Sequence, residues 1–205
     1  MRRWTPVALV ALLACATTLD PVPADPPTCP DLEPAPVDYD RKLYKHWTDA
    51  DGDCQDARQE VLIRDSQVPV TFDGERQCRV ATGQWTDPYS GDVATDPSLV
   101  DVDHVVALRD AHDSGGHLWA PKRRESFANS LEGLVASGRS TNRSKGSRGP
   151  DEWLPPLTSY RCQYIENWLA VKSSWELELA EDESARITYM QKICAAGQVP
   201  VLPQG

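Results

Sequence analysis

At 205 residues the chain is long enough for one domain with a sizeable core plus extensions, and too short for several. A formal net charge of −10 excludes a protein that adheres to nucleic acid over its whole surface. Cysteines are present, but no C-x-x-C spacing occurs, which argues against a structural zinc site.

The first residues read as an export signal over 1–16, because Arg2 and Arg3 precede a short apolar run from Val7 to Ala14 that cannot span a bilayer. Leu12-Leu13-Ala14-Cys15 resembles a bacterial lipobox, while Ala14-Cys15-Ala16 also fits an A-x-A cleavage site. Two localisations stay open: free secretion, or a lipid anchor at Cys15 on the outer face of the membrane. Residues 17–37 are rich in proline and read as an extended tether. A folded domain is expected over 38–197, with a short tail over 198–205 and no transmembrane segment.

Export places the cysteines in an oxidising compartment. Cys54, Cys78, Cys162 and Cys194 allow three connectivities. The favoured one joins Cys54 to Cys78 and Cys162 to Cys194, since each pair closes a moderate loop within one region of sequence. Cys29 is then left over. Just before Cys54, Asp49-Ala50-Asp51-Gly52-Asp53 starts a count that puts Glu60 at the twelfth position of an EF-hand-like loop. Cys54 replaces the glycine expected at position six, so either a structural Ca²⁺ site or a plain acidic turn fits.

Residues 55–65 read as a helix, and 68–72 and 78–80 as strands around the turn Asp73-Gly74. Residues 99–108 form the central strand candidate. Residues 121–129 read as a helix, 131–137 as a second strand, and 139–146 as a short helix or turn. In the C-terminal third, Tyr164, Trp168, Val171 and Trp175 make one helical stripe, and Ile187, Met190 and Ile193 or Cys194 another. Asp182 or Ser184 would cap the second helix and Gly197 would stop it. These aromatics are expected in the core.

The chemistry concentrates in Asp101-Val102-Asp103-His104-Val105-Val106-Ala107-Leu108, followed by Phe127-Ala128-Asn129 and Thr141-Asn142-Arg143-Ser144-Lys145-Gly146. His104 is a competent general base near neutrality. Asp103 and Asn142 are oxygen ligands suited to Mg²⁺ or Mn²⁺, and Arg143 and Lys145 would clamp a phosphate backbone. Consecutive Asp103 and His104 point to opposite faces of a strand, so both serve one site only if the strand ends or bulges there. Lys122 to Gly149 holds seven basic residues against two acidic ones, a basic island on an acidic protein. His112 and His117 fit no zinc-hydrolase spacing and are expected in solvent beside Gly115-Gly116. His46, next to Trp47, is expected to be packed or capping.

Taken from Tyr39 through Cys194, these motifs, with Ser114-Gly115, Trp119, Arg124, Glu152-Trp153-Leu154-Pro155-Pro156, Tyr160-Arg161-Cys162 and Val171-Lys172, resemble secreted HNH-type nucleases. These are related to the C-terminal domain of GmrSD-type restriction endonucleases, within the His-Me finger, or ββα-metal, superfamily. The resemblance implies an α+β fold with a ββα-metal core, additional helices and disulfide ties. It also implies His104 as base and Asp103 and Asn142 as metal holders, in agreement with the residue chemistry, and it adds Arg124 to the nucleic-acid contacts. Where many HNH proteins carry an asparagine before a Leu-Val pair, this chain has Gly133 before Leu134-Val135. Asn129 is the candidate to orient His104 instead. The expected activity is metal-dependent endonucleolytic cleavage of nucleic acid, DNA rather than RNA, by a monomer with low sequence specificity. The rivals are a catalytically silent binding domain of the same fold, kept alive by Gly133, and a phosphodiesterase acting on a smaller ester.

Overall fold

The computed structural model describes residues 37–202; the expected export signal, Cys15, Cys29 and almost all of the tether lie outside them. The described chain is α+β, with three two-stranded antiparallel sheets, helices around them, and two disulfides. None of the described helices is long and apolar enough to cross a membrane.

A 3-10 turn over Arg41–Leu43 is capped by Asp40, whose side chain accepts from Lys42 N. Helix α1 (Ala57–Asp65) begins at Asp56, whose carboxylate accepts from Gln59 N, a cap worth about 1 kcal/mol. Strands β1 (Thr71–Phe72) and β2 (Val80–Thr82) pair across the expected turn, and Cys54–Cys78 ties their hairpin to the loop before α1. Strands β3 (Trp85–Thr86) and β4 (Val93–Ala94) form a further hairpin whose short, mixed pattern gave no sequence signal.

Strands β5 (Val100–His104) and β6 (Leu134–Gly138) pair in unbroken register, from Val100 opposite Gly138 to His104 opposite Leu134. Val100, Val102, Leu134 and Ala136 cluster with Val61 and Leu62 of α1 on one face. Each such buried valine or leucine contributes about 1.5–3 kcal/mol. The expected strand runs to Leu108, but the observed one ends at His104 and Leu108 opens α2 (Leu108–Asp113). Val105, Val106 and Leu108 are buried in a second cluster, so the apolar run continues although the backbone turns. Helices α2 and α3 (Pro121–Asn129) form the insertion between the strands, with Pro121 at the first helical turn where its missing N–H is harmless.

Helix α4 (Arg139–Lys145) follows β6 directly and packs on the opposite face of the hairpin from α1. It stops at Gly146, φ 61°, a conformation glycine adopts without a Cβ penalty. Helices α5 (Arg161–Ser174) and α6 (Glu181–Ala195) bury Tyr164, Trp168, Val171, Ile187 and Met190 and are joined by Cys162–Cys194. The expected caps Asp182 and Ser184 lie inside α6. Its N-cap is Ala180, whose N–H donates to Glu183 Oε2 one turn in, so the reciprocal half of a capping box does the work alone.

Candidate active site

Strand alternation divides the end of β5 into two faces. Asp101 and Asp103 point toward α4, while His104 lies on the side of α1 with Val102. No bulge brings Asp103 and His104 together, because the ladder pairs Asp103 with Val135 and His104 with Leu134 without a shift. The strand ends at His104, with both residues still in the ladder and so on opposite faces.

His104 is buried, and its Nε2 lies 2.9 Å from Ala128 O. A carbonyl can only accept, so Nε2 carries the hydrogen and Nδ1 the lone pair. Burial lowers the imidazole from an ordinary 6.5 to about 3; the Ala128 bond opposes this, and the charges of Arg41, His46 and Lys145 reinforce it. The ring is neutral throughout the neutral range, and the same burial disfavours its protonated form. Trp47 stacks on it at 5.7 Å and 30°, and His46 stands edge-on at 6.2 Å.

Asn129 makes no hydrogen bond to His104 among the described residues. Its Oδ1 accepts from Thr48 N and its Nδ2 donates to Lys45 O and Glu125 O, so it pins the loop that carries His46 and Trp47. The orienting contact expected of Asn129 is made instead by the carbonyl of its neighbour Ala128. At Gly133 a Cβ would meet only Val171 methyls at ordinary contact distance, 3.7 Å and beyond. His46 is packed as expected, its Nδ1–H donating to Tyr44 O. His112 corrects the solvent-exposed expectation: it is buried, donates from Nε2 to Val37 O and accepts from Tyr44 OH at Nδ1. His117 donates to His112 O.

On the α4 side, Asp103 is buried between two partners, accepting from Tyr89 OH at 2.7 Å and meeting Lys145 Nζ at 3.0 Å. Burial pushes the Asp103 carboxyl above its ordinary range; the Lys145 charge and the Tyr89 and Lys145 hydrogen bonds act against that rise. Lys145 is itself 0% exposed and also donates to His104 O at 2.8 Å. It therefore cannot clamp a nucleic-acid backbone, and the reading of Lys145 as a phosphate contact is corrected to a buried partner of Asp103. Arg124 is likewise buried at 6% exposure, which removes it from the surface expected to meet nucleic acid. Arg143 is exposed.

Asn142 Nδ2 donates to Asp101 Oδ2 at 3.3 Å, and Arg139 Nε lies 3.8 Å from Asp101 Oδ1. Asp101 was not singled out by the sequence; its place two residues before Asp103, on the same strand face, was the available signal. Asp87 and Tyr89 were missed as well. Asp87 accepts from Thr141 Oγ1 and so fixes the start of α4. A Cβ at Gly138 would come within 2.9 Å of the same Asp87 carboxylate. The oxygen donors of Asp101, Asp103 and Asn142 suit a hard divalent cation. Asp101 and Asn142 are half-buried and accessible, whereas a cation at Asp103 has to share the carboxylate with Lys145 or displace it.

The acidic loop lies elsewhere. Carboxylate oxygens of Asp49, Asp51 and Asp53 come within 4.8 Å of one another, and Asp49 accepts from both Gly52 N and Cys54 N. Cys54 takes φ 77°, the left-handed turn that glycine would supply, held there by its disulfide. Burial, and then Asp51, Asp53 and Asp49, raise the Glu60 carboxyl.

Residues 56–190 match the model of the family described as "GmrSD restriction endonucleases, C-terminal domain". A protein of Arthroderma benhamiae named "Uncharacterized secreted protein" is 36% identical over 208 residues, spanning 94% of this chain and 100% of the relative. No solved structure matches the chain.

Proposed function

The chain belongs to the family of GmrSD restriction endonuclease C-terminal domains, and from that premise we propose that it is an exported, metal-dependent endonuclease with a ββα-metal core formed by β5, β6 and α4. The observation that carries the proposal is the His104 imidazole, held by a carbonyl at Nε2 and with no hydrogen bond to Nδ1 among the described residues, at the strand end whose other face presents oxygen donors to α4. In this reading Nδ1 of His104 takes a proton from the attacking water. Asp103 and Asn142, joined by Asp101, would hold Mg²⁺ or Mn²⁺, which when bound stabilises charge on the phosphoryl and leaving oxygens. Ala128 O keeps the imidazole in the tautomer that leaves Nδ1 basic, and Trp47 and His46 shield its ring. DNA is the proposed polymer, with RNA as the comparison.

The secreted relative supports the exported setting; free secretion and a lipid anchor at Cys15 are separated by mass analysis of the mature N-terminus. One observation favours a second reading, a nucleic-acid-binding domain without turnover: the Lys145 ammonium already neutralises Asp103. Purified protein incubated with supercoiled plasmid and with RNA, in Mg²⁺ and in chelator, separates the two. Nicks or breaks that need the metal support the nuclease; binding without cleavage even in Mg²⁺ supports the silent domain.

A further inference from the structure

A groove of about 390 Å³ opens between the segment Tyr39–Arg41, the start of α2 and helix α4. Three arginines line it, Arg41, Arg109 and Arg143, together with Asn142, and no aspartate or glutamate does. The whole chain has 31 acidic residues against 21 basic ones, so a groove wall with three arginines and no carboxylate runs against its composition. An isolated exposed arginine is ordinarily just solvated. Here three come from elements far apart in sequence and converge on one cavity whose wall is a candidate metal-holding residue.

The arginines differ in how they are held. Arg109 is tied to Asp113 at 2.8 Å and rests over the Tyr39 ring at 5.1 Å, so its position is set before any ligand arrives. Arg41 and Arg143 are exposed and make no side-chain hydrogen bond or ion pair within the described residues. Asn142 lines the groove, and so do Ala107 and Leu108, which follow shortly after the end of β5. A planar guanidinium presents paired N–H donors that match two phosphate oxygens.

We propose that this groove seats the phosphodiester backbone of a nucleic-acid strand, with Arg41, Arg109 and Arg143 as its anion contacts in place of the buried Lys145 and Arg124. The proposal rests on the nuclease reading and deepens it, because several cationic contacts around one site fit a polymer with phosphates on both sides of the cleaved bond better than a small ester. An adjoining pocket of about 550 Å³ shares Arg109 and Ser147 but is lined by Asp110, Asp151, Glu178, Asp182 and Glu183. That pocket repels a polyanion, so the strand leaves the site on the side of Arg41 and Arg143.

The test measures binding of the full exported chain to a labelled DNA duplex and to a single strand, in chelator so that nothing is cut, over a salt series. Arg41→Gln, Arg109→Gln and Arg143→Gln are compared with Arg76→Gln, an equal loss of charge at the β1–β2 turn. Each groove variant is expected to weaken binding by roughly tenfold, the loss of one charge-assisted contact, and to make the salt dependence shallower by about one unit of slope. Unchanged thermal unfolding of Arg41→Gln and Arg143→Gln guards against misfolding, which matters most for Arg109. If wild-type protein binds DNA and the groove variants bind equally well, or Arg76→Gln weakens binding as much, the groove assignment falls while the nuclease reading stands. If wild-type protein binds no nucleic acid at low salt, both fall.

Discussion

Lys145→Met is the sharpest test of how the site is held together. The ammonium lies 3.1 Å from Asp103 Oδ1 and 3.0 Å from Oδ2, with both side chains buried. At an effective dielectric of about 20, opposite charges at that separation attract by about 5 kcal/mol before desolvation is subtracted. Removing one partner of such a pair strands the other and costs about 3–5 kcal/mol. For a domain of this size, 1 kcal/mol shifts Tm by about 2–4 °C, so Lys145→Met should unfold roughly 6–20 °C lower. The double variant Asp103→Asn with Lys145→Met should recover most of that loss, because the amide oxygen still accepts from Tyr89 and no charge remains unpaired.

The assay is thermal unfolding followed by circular dichroism, with disulfides intact, at low and at high salt. A buried pair is little screened, so the loss should be nearly the same in both. A phosphate clamp on the surface predicts the reverse pattern: Tm within about 1–2 °C of wild type and weaker, salt-sensitive DNA binding. That result would refute the buried-partner argument.

Other outcomes follow from the same geometry. His104→Ala should lower cleavage by roughly 10²–10⁴-fold with DNA affinity retained; undiminished turnover removes His104 from the chemistry. Asp101→Ala and Asn142→Ala should each raise the Mg²⁺ concentration needed for half-maximal cleavage, with partial rescue at excess metal, and full activity in chelator rules out the metal mechanism. Reduction should destabilise the domain by about 3 kcal/mol for each loop released, read as a lower denaturant midpoint; an unchanged midpoint after complete reduction contradicts it. If Asp49, Asp51, Asp53 and Glu60 hold a structural Ca²⁺, millimolar Ca²⁺ should raise Tm where equal Mg²⁺ does not, and Asp51→Ala should abolish the difference; equal shifts with both ions dismiss calcium from that loop.

Long periodic segments were legible in the sequence because their patterns are local. The stripe Tyr164, Trp168, Val171 names the buried face of α5, and loop length was enough to select Cys54–Cys78 and Cys162–Cys194 from three pairings. The end of β5 was not legible, since Val105 to Leu108 stays apolar on entering a different core, and apolarity does not report where a backbone turns. Lys145 and Arg124 were misplaced for a related reason. A basic run marks charge along the chain, but Lys145 finds its carboxylate on β5, 42 residues earlier, a pairing no local pattern encodes. Arg41 lies in a short segment without periodicity, and only the fold brings it beside α4.

Asn129 shows how a residue linked to His104 by its position in sequence can serve it without a hydrogen bond to it. Its carboxamide grips the Lys45–Thr48 loop through Lys45 O and Thr48 N, and that loop lays Trp47 on the imidazole. Trp47 pays for the placement with φ 60°, a left-handed conformation costing a bulky residue on the order of 1–3 kcal/mol. Strain of that size persists only where neighbours over-determine the backbone, and Asn129, fixed in turn to Glu125 O of its own helix, supplies the constraint. Helix α3 therefore acts on His104 twice, directly through the Ala128 carbonyl that sets the tautomer and indirectly through the loop that covers the ring. With both constraints on one helix end, no asparagine is needed at Gly133 to orient the imidazole.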